Sequence, residues 1–249
     1  MKESVRVSRL MRVGGWAALI SGSLMLLGFL ALVLMFQAMS AGPQAAGRFS
    51  LFGHLNDLTP LAALLPVLVL AAVFFLLEWK NAPGLSIAAL LFGIAAFVVP
   101  AVMSVLFMNE EIDLVQQAQY MYLMFGPLGV WLLLVCFLAR RESLLPSRVT
   151  ASGLVMGGVH IVAFVAVMLL TGLGFFRSPT IEAILSDPLL LVVVAVGLIP
   201  TAIAYYGLPL WYIWLGGAML REARTRKLES VPLSLPARSP CPVGLDCSG

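Results

Sequence analysis

Charge is what this chain has least of. Asp, Glu, Lys and Arg make up 11% of its 249 residues, against about a quarter in an ordinary soluble domain. With 61% apolar residues and a mean hydropathy of +1.02, there is too little polar material to clothe a water-facing surface, which excludes a soluble globule and leaves lipid as the solvent. Cysteine is also scarce, at three residues. Cys136 lies in an apolar run, and Cys241 and Cys247 have neither CxxC redox nor zinc spacing, so no disulfide scaffold or thiol site is expected. The two histidines, His54 and His160, sit at unmatched depths, which leaves no bis-histidine haem site. No GxxxxGK[ST], GxSxG or HExxH segment occurs, so nucleotide hydrolysis, serine hydrolase and zincin chemistry lack a motif.

What is present is apolar length. A hydrocarbon core about 30 Å thick needs roughly 20 residues of helix, and only a helix or a closed barrel satisfies its own backbone there. Six runs meet that length, Val13 to Phe36, Leu58 to Leu77, Leu85 to Met108, Tyr120 to Ala139, Ala151 to Phe176 and Leu189 to Leu220, and none contains Asp, Glu, Lys or Arg. They lack the alternation of a transmembrane barrel. The expected fold is all-α: a six-transmembrane-helix bundle over 13–220, after a basic N-terminus at 1–12 and before a tail at 221–249 that begins basic and ends disordered. The first run exceeds the roughly 7 to 15 residues of a signal-peptide core and is expected to remain as an anchor.

Placing alternate loops on one side gathers 13 of the 15 basic residues with six acidic ones, a net +7, against two basic and six acidic residues on the other, a net −4. By the positive-inside rule both termini face the cytosol, so the expected location is a bacterial cytoplasmic membrane. Thr59-Pro60 and Asp187-Pro188 each read as a capping side chain before a first-turn proline, which starts the second and sixth helices on the outer side. Pro66, Pro100, Pro127, Pro200 and Pro209 fall inside runs, where a missing backbone donor bends a helix. Tyr205, Tyr206, Trp211, Tyr212 and Trp214 read as an interfacial aromatic belt.

Few side chains are left to carry chemistry. Proton- and ion-coupled transporters place ionisable groups in the bundle, and only His160 is found within a run. It is expected to stay neutral and bond a carbonyl or hydroxyl of a neighbouring helix. With Tyr205 and Tyr206 it forms the candidate ligand-binding set. Arg221, Arg224, Arg226 and Lys227, just beyond the last run, are the candidate contacts for anionic headgroups. His54, Asp57, Glu110, Glu111, Asp113, Glu182 and Asp187 on the outer side show no metal-ligand spacing, and Asp57 and Asp187 are accounted for as helix-start residues. Gly153 and Gly157, in GxxxG spacing, are expected to pack helices within the chain.

The segments Arg12-Val-Gly-Gly-Trp-Ala, Phe125-Gly-Pro-Leu-Gly-Val-Trp-Leu-Leu-Leu and Leu208-Pro-Leu-Trp-Tyr-Ile-Trp-Leu-Gly, with Leu220-Arg221 and a Pro146-Ser147-Arg148 turn, resemble bacterial polytopic membrane proteins of a domain-of-unknown-function family. The likeness spans most of the six runs, and the cysteine-containing tail departs from it. It implies neither an activity nor functional residues.

The resulting expectation is an integral membrane protein without catalytic residues, metal or cofactor. It serves as a structural or accessory component that binds lipid or another apolar ligand, with membrane lipids and other membrane-protein subunits as partners and no nucleic acid. The competing readings are a transporter or exporter of a small neutral or hydrophobic solute and an intramembrane enzyme built on His160 or the outer acidic residues.

Overall fold

Apolar runs that meet no water must close their hydrogen bonds within the segment, and a computed structural model describing residues 2–40, 46–172 and 188–229 is built of helices accordingly. Seven helices occur among the described residues: α1 (Lys2–Ser40), α2 (Ala46–Glu78), α3 (Pro83–Met108), α4 (Leu114–Leu123), α5 (Phe125–Arg141), α6 (Ser147–Gly172) and α7 (Pro188–Glu229). Five helical stretches within them are long and apolar enough to cross a membrane. The chain is an all-helical bundle of membrane-spanning character.

Several boundaries differ from the sequence reading. Thr59 does not cap a helix start; its hydroxyl donates back to the carbonyls of Asn56 (2.7 Å) and Leu55 (3.2 Å) within α2. A mid-helix Thr uses that bond when the backbone continues through it, so Asp57 is not a helix-start residue either. The fourth run is divided at Met124, between α4 and α5. Pro127 is therefore the third residue of α5, in the first turn where proline is tolerated, and not in a helix interior. Pro100, Pro200 and Pro209 do lie inside helices. Pro188 opens α7, which carries Arg221 to Glu229 as continuous helix. Asp187, Glu182 and the tail from 230 onward lie outside the described residues.

Helices α1, α2, α3, α5, α6 and α7 pack in that order as a closed ring, with α7 returning to α1 and α4 resting on α3, α5 and α6. Glycines permit the closest approaches. A Cβ on Gly216 would lie 2.6 Å from the Gly15 carbonyl, where α7 meets α1, and one on Gly157 would lie 3.0 Å from the Gly129 carbonyl, where α6 meets α5. Gly153 faces Cys136 and Trp211. The GxxxG pair thus packs helices within the chain, as small residues do in lipid.

The core centres on Trp131, Leu132, Tyr212, Leu215 and Met219, with Met11, Leu70 and Val67. Trp211 and Tyr212 belong to this core: Tyr212 stacks on Trp131 at 6.3 Å and Trp211 meets Tyr212 edge-on at 5.6 Å. The aromatic belt is therefore split, since only Tyr205, Tyr206 and Trp214 of the expected five are exposed. Outward faces are aliphatic: Leu65 is 72% exposed, Val155 68% and Ile199 62%. Such a surface is stable only against lipid or another apolar partner.

Hydrogen bonds from distant segments define one end of the bundle. Ser8 donates to the Ala223 carbonyl (2.8 Å), Asn81 to Glu142 (2.8 Å) and Arg226 to the Ser143 carbonyl (3.5 Å). The start of α1, the α2–α3 and α5–α6 turns and the end of α7 meet here with most of the arginines, so this is called the basic end.

Candidate functional site

Polar groups gather in two places. The first lies towards the opposite end and contains all three members of the candidate ligand set. Tyr206 of α7 meets Phe29 of α1 edge-on at 4.5 Å and Tyr205 at 5.7 Å. Tyr122 of α4 is within electrostatic range of both tyrosines and packs on Phe125 at 5.7 Å, which meets His160 of α6 edge-on at 5.5 Å. His160 is thus joined through Phe125 to Tyr122, which lies in the neighbourhood of Tyr205 and Tyr206 without a ring contact to either among the described residues. Tyr205 and Tyr206 face outward, however, whereas His160 is fully buried.

His160 bonds differently from expectation. Its Nδ1 lies 2.8 Å from the Met156 carbonyl of its own helix, and since a carbonyl only accepts, the hydrogen sits on Nδ1. Nε2 is then a bare, buried acceptor without a partner among the described residues. The bond therefore stays within α6 and does not reach a neighbouring helix. Beside this cluster, Gln117 of α4 donates to Asp57 of α2 at 3.3 Å, and both are buried. Asp113 caps α4, accepting from the Gln116 amide at 2.7 Å while Gln116 Oε1 accepts from the Asp113 amide at 3.1 Å. Its carboxyl is thereby engaged as a capping box. Among the described residues no three His, Cys, Asp or Glu side chains converge on a metal position.

The second place is at the basic end and was missed by the sequence reading. Glu78 follows the apolar run 58–77 directly, and the sequence assigned it to a loop with Trp79 and Lys80. It is instead the last residue of α2, only 1% exposed, and neither carboxyl oxygen has a hydrogen-bond partner among the described residues. It faces a cavity of about 10 Å³ whose other walls include Phe74, Phe75, Ser86, Trp131 and Leu138. That volume holds about one water. The signal available in sequence was a carboxylate abutting an apolar run, but only α3 and α5 closing over it made it buried.

The candidate lipid-contact residues lie along the last turns of α7. Arg224 is exposed; Arg221 donates to the Gly217 carbonyl at 3.2 Å; Arg226 pairs with Glu222 at 3.0 Å. Ser8 bonding Ala223 sets Arg9 and Arg12 of α1, both exposed, beside this row.

Comparison with protein-family models, with curated proteins and with solved structures finds no match.

Proposed function

We propose that the chain is a multi-pass protein of a bacterial cytoplasmic membrane, with six spans and both termini cytosolic, acting as a non-enzymatic structural or accessory component. The observation that carries this is the contrast between the bundle's filled aromatic centre at Trp131 and Tyr212 and its aliphatic outer faces at Leu65, Val155 and Ile199. A surface of that kind is satisfied by lipid or by the apolar face of another membrane subunit. Arg221, Arg224, Arg226 and Lys227 then lie at headgroup level, where each positive charge near an anionic surface is worth about 1 kcal/mol.

Two measurements test this reading. A Lys80→Cys variant in a background without native cysteines should resist an impermeant thiol reagent in intact cells and react after lysis; labelling from outside overturns the topology. Native mass spectrometry should then find anionic lipid retained by the wild type and lost when Arg221, Arg224, Arg226 and Lys227 are replaced by Gln; equal retention removes the lipid role. The neighbourhood of His160, Tyr122, Tyr205 and Tyr206 favours, as a second reading, a transporter of a small neutral or hydrophobic solute. Flux of such a solute in proteoliposomes, abolished by His160→Leu, would establish that reading and displace the accessory role.

A further inference from the structure

We infer that the Glu78 pocket is a proton-binding site at the basic end: the carboxyl occupies it as the neutral acid beside one water, and ionisation draws in more water and loosens the α2–α3 turn. The geometry discriminates between the two forms. The Ser86 hydroxyl has already given its hydrogen to the Ala82 carbonyl at 2.9 Å, so within the pocket it offers lone pairs only. A carboxylic acid can donate to those lone pairs through the water, whereas a carboxylate, which only accepts, receives no hydrogen from Ser86 and meets no cation in the lining. The remaining walls, Ala71, Phe74, Phe75, Ala89, Trp131, Val135 and Leu138, carry no charge. A buried ion left in such a place costs several kcal/mol.

The surrounding charges do not replace the proton. Arg141, at the end of α5, lies 3.8 Å from Glu142, and Glu142 also accepts from Asn81 in the α2–α3 turn. Among the described residues, these are charged groups whose field reaches Glu78. α3 contributes Ser86 and α1 no lining residue, while Arg226 of α7 is held by Glu222 and Ser143. A metal cation would need several oxygen ligands, and the pocket supplies one carboxyl and one hydroxyl. On ionisation the O–H bond breaks heterolytically, the proton passes to water, and the electron pair stays on the carboxylate. That charge then demands hydration, which the pocket can supply only by opening, and the non-helical turn at 79–82 that directly follows Glu78 is the backbone best able to give way.

Infrared titration of the full-length protein in nanodiscs reads the proton directly, as a carboxylic C=O band. The wild type should keep a band above the ordinary glutamate range and lose it as pH rises further, the neutral fraction falling about tenfold for each pH unit above the midpoint. Glu78→Gln and the apolar Glu78→Met should both lack that band. Hydrogen exchange at the turn, corrected for intrinsic rates, should accelerate several-fold above the midpoint in the wild type and in neither variant. A difference spectrum without a C=O band, or one that titrates in the ordinary glutamate range, overturns the proton site. Equal exchange in the wild type and the variants overturns the loosening.

Discussion

Asp57, about a third of the way along α2, and Glu78, its last residue, lie about 31 Å apart at 1.5 Å per residue, with exposures of 8% and 1%. Asp57 is met by the Gln117 amide from α4, 60 residues away in the chain. Glu78 is met by an apolar cavity and a serine whose hydrogen is already committed. The same residue chemistry at similar burial on one helix therefore has two energetic meanings. A partnered buried polar group contributes to the fold, and an unpartnered one opposes it. A group that opposes the fold is the better pointer to function, since packing alone does not account for it.

The comparison breaks most sharply at Asp57. Asp57→Ala strands the buried Gln117 amide and should destabilise the protein by about 2 kcal/mol, read as a lowered midpoint in thermal or denaturant unfolding in detergent. A variant as stable as the wild type would mean that the pair is not formed. Glu78→Met should act in the opposite direction, stabilising by about 1 kcal/mol because no partner is left behind. A loss of stability there would show that Glu78 has a partner and that the two sites on α2 are alike.

A subtler distinction lies in pH. An unpartnered carboxyl enclosed by apolar walls holds its proton more tightly in the folded chain than in the unfolded one. Its contribution is complete below the unfolded-chain value and is lost as pH rises through the folded-chain value. Stability of the wild type should therefore fall with pH between those two values relative to Glu78→Gln, and the difference curve should flatten above them. A difference curve independent of pH removes the distinction. Smallest of all, the double variant Asp57→Ala with Glu78→Met should equal the sum of the singles within about 0.5 kcal/mol, because sites this far apart share no partner. A larger coupling would join the two sites into one network.

Particular residues show how far the sequence could be read. The apolar runs located the helices because their length and lack of charge leave no other backbone solution in lipid. Thr59-Pro60 misled because a capping residue type before proline is also compatible with a helix passing through, and the decisive bond to Asn56 is invisible in composition. Tyr205, Tyr206 and His160 were recognised as candidates from residue type, but the placement of Tyr122 and Phe125 among them depends on α4, which the sequence reading had merged with α5. Trp211 and Tyr212 passed for belt residues because an aromatic near a helix end reads the same whichever way it faces.

By itself, then, the sequence determined the apolar, all-helical character of the chain and the gathering of basic residues in alternate connecting segments, because these follow from local composition and from the hydrogen-bond demand of a chain in lipid. The tertiary structure alone decided which polar side chains are enclosed and which of them are answered. Gln117 reaches Asp57, and Trp131 and Leu138 close over Glu78, only after the ring of helices has formed. Burial and partnership are properties of neighbours distant in the chain, and no period or composition within a single run encodes them.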